Sequence, residues 1–213
     1  MKKIAVVDYG MSNLHSVTSA LRAVASDQQV IEVCQRPEDI DNADRVVFPG
    51  QGAAADCMQQ IKAGGLVSAL KKAATEKPFL GICMGMQVLM QQSDENGGTD
   101  CLALFKGSVQ QFDADMTTAA GPLKVPHMGW NQIQQTSDHP IWHGIAQDSY
   151  FYFVHSYYVA LADAAQQTGC TQYGVEFTSV LAHGYVFAMQ CHPEKSADNG
   201  LQLLTNFLNW SGK

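Results

Sequence analysis

Charge is scarce in this chain. Only 15% of its 213 residues are Asp, Glu, Lys or Arg, while 46% are hydrophobic. That balance excludes a disordered polyelectrolyte and provides for a packed core. A basic excess is also missing. The formal net charge of −7 argues against a nucleic-acid partner or an anionic membrane surface. No window approaches the ~18 uninterrupted apolar residues of a membrane span. The apolar stretch after Lys2-Lys3 is cut by Asp8 and is too short for a secretory signal, so a cytoplasmic location is expected. The six cysteines (Cys34, Cys57, Cys83, Cys101, Cys170, Cys191) are widely spaced without a C-x-x-C pair. Neither a zinc ribbon nor a compact disulfide framework is suggested. The histidines do not point to a zinc site, and no metal or cofactor is expected. Internal repeats and linkers are absent, which leaves residues 1–213 as one expected domain. Surface scaling gives roughly 9,700 Å² for the folded chain, about 70% burial, enough for a core without staples.

What is present is a run of short apolar segments alternating with helical patterns. Ile4–Val7 reads as a strand buried on both faces, and Val30–Cys34, Arg45–Phe48 and Phe79–Ile82 read as further strands. Ser12 or Asn13 can cap a helix in which Leu14, Val17, Leu21 and Val24 share a face. Ala53–Ala74 is helical in composition, interrupted at Gly64-Gly65. This alternation predicts a parallel sheet with helices on both faces. The second half changes character. Val109–Phe112, Gln132–Gln135, Tyr150–Val154, Tyr157–Leu161, Gln172–Phe177 and Val180–His183 are short strand-like pieces between polar turns. They predict an antiparallel extension of the same sheet. Tyr185–Cys191 reads as a last strand and Gly200–Trp210 as a last helix. Asp94–Gly98 and Ala114–Leu123 read as loops. The expected class is α/β: a single-domain open sheet with a mostly parallel core.

Two segments carry chemistry. Gly81-Ile82-Cys83-Met84-Gly85 has the form G-x-nucleophile-x-G between an apolar strand and a helical run. The glycines let the chain turn sharply with Cys83 at the apex, and the Met84 N–H lies where an oxyanion would develop. The helix behind Cys83 is expected to favour its thiolate. In Cys191-His192-Pro193-Glu194, His192 and Glu194 lie at i and i+2 after a strand, so Glu194 can orient an imidazole that exchanges a proton with Cys83. Both segments fall at the C-terminal ends of expected parallel strands, where open α/β sheets build their sites. A third, Gly50-Gln51-Gly52-Ala53-Ala54-Ala55, fits the dinucleotide fingerprint G-x-G-x-x-A. It follows the third strand rather than the first, and no acidic residue stands at a strand end about 20 positions on. The alternative is a loop (Gly50, Gln51, Gly52) that supplies a second oxyanion donor.

Together these segments resemble the class I, triad-type glutamine amidotransferases. Asp8–Leu14, His127-Met128-Gly129-Trp130-Asn131, Tyr152–Tyr157 and Cys191–Ser196 are further similar to the branch that serves imidazole glycerol phosphate synthases, and the likeness covers essentially the whole chain. The resemblance implies a Cys83–His192–Glu194 triad that hydrolyses L-glutamine through a cysteinyl thioester. It places the glutamine backbone near Gly52, Gln87, Glu95, Ser156 and Tyr157. It implies a (β/α)8-barrel cyclase as partner in a heterodimer, receiving ammonia to make imidazole glycerol phosphate and AICAR for histidine biosynthesis. Asn13, Met128, Trp130 and Asn131 are then expected at or near the interface, with Tyr152 and Lys195 lining or gating the ammonia exit.

The chain departs from this family in having Gln51 where the family usually has Val, and Ser12 where it usually has Gly. Because the loop acts through backbone N–H groups, Gln51 need not abolish function. Three other functions stay open on the residues alone. They are a glutaminase for a different synthase, a silent binding module, and a stand-alone cysteine hydrolase of γ-glutamyl peptides.

Overall fold

Apolar residues in the first half alternate between two cores. Ile4 and Val6 face one helical layer and Val7 the other, as the two-residue period of a strand requires. The computed structural model describes residues 1–11, 14–118 and 121–212. The expected helix cap at Ser12 or Asn13 therefore lies outside the described residues, as does part of the Ala114–Leu123 loop. Eleven longer strands form the frame: β1 Lys2–Val7, β2 Gln29–Cys34, β3 Arg45–Gly50, β4 Phe79–Cys83, β5 Gly107–Gln111, β6 His127–Gln135, β7 Ser149–His155, β8 Tyr157–Leu161, β9 Gln167–Tyr173, β10 Val175–His183 and β11 Val186–Met189. The helices are α1 Leu14–Val24, α2 Pro37–Asp41, α3 Ala54–Ala63, α4 Val67–Glu76, α5 Met84–Gln87 and α6 Ala197–Asn209.

The sheet order is β2-β1-β3-β4-β11-β10-β8-β5, continued by two-residue strands at Gln92–Ser93 and Thr99–Asp100. Pairing is parallel from β2 through β11. It turns antiparallel at β11–β10 and stays so through β8 and β5. A side branch, β7-β6-β9, joins at β10. The α/β class, the mostly parallel core and the antiparallel extension are all as the sequence predicts. The accessible surface, 9449 Å², also matches the scaling expectation.

One core packs α1 and α6 against the sheet through Val17, Leu21, Leu203, Leu204 and Phe207. The opposite core packs α3 and α4 through Met58, Ile61, Leu70 and Ala73 against Val46, Phe48 and Phe79. Arg45 is buried at the start of β3, and its guanidinium donates to the Phe207 and Trp210 carbonyls. A fixed cation thus satisfies the acceptors that the C-terminus of α6 leaves open.

Several boundaries differ from expectation: β6 begins at His127 rather than Gln132, and α6 at Ala197 rather than Gly200. The helical run behind Cys83 is a single turn of four residues, because the chain bends away after Gln87 to reach the two-residue strands. The segments read as Gln172–Phe177 and Val180–His183 are instead β9 and β10, turning at Gly174. The short α2, with Pro37 at its first position, went unread because five residues cannot display a helical period.

Candidate active site

Cys83 ends β4 and begins α5 with φ 54° and ψ −112°, a conformation that L-residues rarely hold. Such backbone costs about 1–3 kcal/mol and persists only where its surroundings enforce it. Here the neighbours do so through missing side chains. A Cβ at Gly85 would sit 1.8 Å from the Phe48 carbonyl oxygen. One at Gly50, which pairs with Cys83 across β3 and β4, would sit 2.1 Å from the Tyr9 hydroxyl. The elbow is therefore wedged against β3, with the Cys83 side chain turned into a cleft. The Met84 N–H heads α5 and has no intrahelical acceptor. The expectation that a helix dipole favours the thiolate needs correction, since one turn carries little of a macrodipole.

His192 follows β11, so its segment emerges beside β4. Its backbone N–H donates to the Tyr152 carbonyl at 2.9 Å, and its own carbonyl accepts from Ser196 Oγ at 2.6 Å. The ring is held as firmly: Nδ1 lies 2.8 Å from Glu194 Oε1, whose side chain is only 2% exposed. Because Glu194 engages Nδ1, Nε2 is the nitrogen free for chemistry. It is buried without a hydrogen-bond partner in the resting structure. Burial alone would lower the imidazole pKa. The facing Cys83 sulfur and Glu194 outweigh burial and raise it to about 10. An imidazolium facing the Cys83 sulfur is the form of His192 this arrangement favours.

A cleft of about 410 Å³ opens on these groups. Cys83, Met84, His192, Gln51, Gly52, Gln87, Glu95, Ser156, Tyr157 and Lys195 line it. Gly50 and Glu194 lie just behind, beside a smaller crevice. Gln87 is buried. Its Nε2 donates to the Tyr157 carbonyl at 3.0 Å and to Gln190 Oε1 at 2.9 Å, while its Oε1 has no partner. That unpaired acceptor suits an amide or ammonium donor on a ligand. Glu95 is half-buried, and its Oε2 accepts from the Ala54 N–H at the start of α3 at 2.7 Å. It is thus an anchored charge at the cleft wall. In the Gly50–Gly52 loop, the Gln51 N–H donates to the Met11 carbonyl at 2.9 Å, and the Gln51 carbonyl accepts from Cys57 Sγ at 3.3 Å. Using the Gln51 N–H as an oxyanion donor requires breaking its bond to Met11.

The glutamine amidotransferase class-I family model matches residues 5–210. The imidazole glycerol phosphate synthase subunit HisH of Hydrogenovibrio crunogenus is 54% identical over 212 residues, covering 100% of this chain and 98% of that protein. The HisH subunit of Pseudomonas putida is 50% identical over 213 residues, covering 100% of both. The chain belongs to the class-I glutamine amidotransferases, within the HisH family. Solved structures agree at the level of fold. The structure of PurLQS from Thermotoga maritima matches with a TM-score of 0.70 at 15% identity, covering 98% of each chain. A putative GMP synthase subunit from Thermoplasma acidophilum matches at 0.68 and 19% identity, covering 98% of this chain and 93% of that one.

In this amidotransferase the residues expected at an interface fall into two groups. Met128 and Trp130 are 62% and 52% exposed on β6, an unusual exposure for such large apolar side chains. Trp130 pairs across the sheet with Tyr152, their rings 6.1 Å apart and near perpendicular, and Lys195 Nζ lies 5.9 Å from the Tyr152 ring centre. Tyr152 is half-buried and does not line the cleft, whereas Lys195 does. Asn131 behaves differently. Its amide turns inward, donating to the Gln172 carbonyl at 2.9 Å and reaching His127 at 3.3 Å. Asn13 lies outside the described residues.

Three polar residues of the amidotransferase site were not singled out from sequence. Gln190 is fully buried, and its Nε2 donates to Cys83 Sγ at 3.6 Å. His127 Nδ1 and His155 Nε2 are 2.9 Å apart, and His155 Nδ1 lies 2.8 Å from the Tyr157 carbonyl. A signal existed for Gln190: it sits two residues before His192, on the same face at a strand end. The histidine pair gave none, because 28 residues separate its members. Among the described residues, no cluster of His, Cys, Asp and Glu is arranged to hold a metal ion. Among them, too, no helix is long and apolar enough to cross a membrane.

Proposed function

We infer that this chain is the glutaminase subunit of imidazole glycerol phosphate synthase in histidine biosynthesis, and that residues 1–213 act as one amidotransferase domain. In this reading the Cys83 thiolate attacks the side-chain carboxamide carbon of L-glutamine. The oxyanion accepts from the Met84 N–H and a Gly50–Gly52 loop N–H. His192, as imidazolium, protonates the departing nitrogen, and ammonia leaves a γ-glutamyl thioester. The now neutral His192 takes a proton from water, which adds to the thioester, and glutamate departs as the thiolate re-forms. Glu194 holds the imidazole throughout. Glu95 faces the substrate ammonium, and the free Gln87 Oε1, Ser156 and Tyr157 complete the substrate site. The observation that carries this reading is the shared cleft of Cys83, His192, Gln87 and Glu95 in a chain about 50% identical to HisH subunits throughout.

The partner in this reading is a (β/α)8-barrel cyclase that meets the exposed Met128–Trp130 face and receives ammonia past Tyr152 and Lys195. Gln51, with its N–H tied to Met11, describes a resting loop. Docking of the cyclase and its ligand completes the oxyanion hole by releasing that bond. The test is glutamine hydrolysis by the chain alone, with cyclase, and with cyclase plus its ligand. Activation of at least 10² is expected in the last case, the worth of one oxyanion donor. Full activity in the isolated chain would instead favour a stand-alone hydrolase.

A further inference from the structure

A cysteine works as a nucleophile only as the thiolate, and the single turn of α5 offers little to stabilise one. The facing His192 supplies one source of stabilisation. A second is a hydrogen-bond donor in contact with the sulfur, Gln190.

The orientation of the Gln190 amide follows from its neighbours. One end of the Gln87 amide lies 3.0 Å from the Tyr157 carbonyl oxygen and 2.9 Å from the Gln190 amide. A carbonyl only accepts, so that end of Gln87 is its NH2, and it must meet the oxygen of Gln190. The NH2 of Gln190 is then the end that faces Cys83 Sγ at 3.6 Å. The same logic fixes the groups upstream. The Tyr157 carbonyl also accepts from His155 Nδ1, so His155 Nε2 accepts from His127 Nδ1. His127 Nε2 then accepts from the Asn131 NH2, which also donates to the Gln172 carbonyl. Burial lowers both histidines, to about 4 for His127 and about 3 for His155, and keeps each ring neutral with one donor and one acceptor. Starting from two backbone carbonyls, one polarity satisfies every link down to the sulfur.

We propose that Gln190 is a further catalytic residue, whose side-chain N–H donates to Cys83 Sγ and stabilises the thiolate that attacks the carboxamide. The proposal rests on Cys83 being the nucleophile. A hydrogen bond to an ionised acceptor is stronger than one to a neutral acceptor, so it favours the thiolate over the thiol. The other titratable groups around Cys83 are Tyr9 from the end of β1, Cys57 from α3 and Cys191 from the segment after β11. Burial raises all three, Cys57 to about 11, so they stay neutral through the physiological range. Glu194 stands behind His192, and Glu95 and Lys195 line the cleft. Against these, Gln190 is a donor that touches the sulfur without changing the charge of the site.

The experiment follows iodoacetamide capture of Cys83 against pH, read by mass spectrometry of the Cys83 peptide, in the full chain with its cyclase. Gln190→Met keeps the bulk and removes the donor. Its capture midpoint should rise by about one pH unit, with about tenfold slower capture near neutrality. The kcat for glutamine should fall by a similar factor, with a smaller change in KM. Gln190→Glu retains an acceptor for Gln87 and puts a carboxylate beside the sulfur, so its midpoint should rise further. An unshifted midpoint in a folded variant, whatever its activity, overturns the proposal. Should both variants fail to fold, the unaltered chain still decides: the Gln190 side-chain amide resonances must shift with the same midpoint as Cys83 capture. Constant resonances refute the hydrogen bond. If Cys83→Ala retains glutamine hydrolysis, the nucleophile reading has failed. If Cys83→Ala is inactive while the Gln190 variants keep the capture midpoint, only the role of Gln190 has failed.

Discussion

The parallel and antiparallel halves of the sheet hold their functional groups by different means. In the parallel half, Cys83 ends one strand and His192 follows its neighbour; backbone fixes where the two segments emerge, and Glu194 and Ser196 steady His192 locally. Strand register, a strained elbow, and glycines whose missing Cβ atoms let strands close together fix the geometry. In the antiparallel half, side chains do the holding. The His127–His155 pair, Asn131 and the Tyr157 carbonyl are linked by hydrogen bonds across β6, β7 and β8. Backbone constraint costs nothing to maintain as pH changes, whereas a chain of imidazoles survives only while each ring keeps its proton on one nitrogen. The strand ends that carry Cys83 and His192 are therefore robustly placed, and the wall between the cleft and the exposed β6 face is the adjustable part.

The sharpest break in this comparison is Cys83→Ala. It should abolish glutamine-dependent synthesis by the complex, by four or more orders of magnitude, while synthesis from added ammonium persists. Measuring product from each nitrogen source checks it, and comparable losses from both would mean that Cys83 supports the fold instead. Next comes the proton carrier. His192→Ala should lower kcat by roughly 10²–10⁴, and Glu194→Gln by clearly less, because the ring can still carry a proton when poorly oriented. Equal losses in steady-state kinetics would contradict the division of roles. Gly85→Ala tests the backbone directly. A Cβ 1.8 Å from the Phe48 oxygen forces α5 away from β3, and a loss of about 2–4 kcal/mol in urea unfolding is expected.

The side-chain half should respond to acid. His127 and His155 have folded pKa values of about 4 and about 3, depressed by burial below the value near 6.5 of an unfolded histidine. The unfolded chain therefore binds more protons below pH 6.5, and stability falls as pH drops from there toward 4. A fully shifted group contributes a slope of up to about 1.4 kcal/mol per pH unit. Urea midpoints between pH 7 and 4.5 should show the fall, and His155→Phe should flatten it. An unchanged slope in that variant would assign the acid sensitivity elsewhere. Trp130→Ala should have the smallest effect on the isolated chain, within about 0.5 kcal/mol, since its ring is half exposed. Its expected cost appears only as weaker binding to the cyclase by titration calorimetry.

The two halves also differed in how far the sequence reached. Ile4–Val7, Val46–Phe48 behind Arg45, and Phe79–Ile82 are apolar runs, which buried parallel strands demand, and their order places Cys83 at a strand end. The antiparallel strands mix polar and apolar residues, so the boundary between β9 and β10 was misread. Gln87 and Glu95 were named through resemblance; spacing alone left Glu95 a solvated loop charge, and its anchor on the Ala54 N–H is a contact between residues 41 apart. The polarity of the His127–His155–Tyr157 links was illegible because it depends on which atoms meet, and no periodicity encodes that.

The place of β11 in the sheet has a consequence for how the protein is made. Val186–Met189 lies between β4 and β10, although it is synthesised after both. Until the ribosome has delivered it, the emerging chain carries two unpaired strand edges flanking a gap at its centre, and Cys83 borders that gap without His192. On the proposed mechanism an incomplete chain holds a thiol with no base, so nascent or truncated copies should release no ammonia. The same gap is an open edge for another strand to enter, so stalled synthesis between residues 183 and 189 is where misassembly should concentrate.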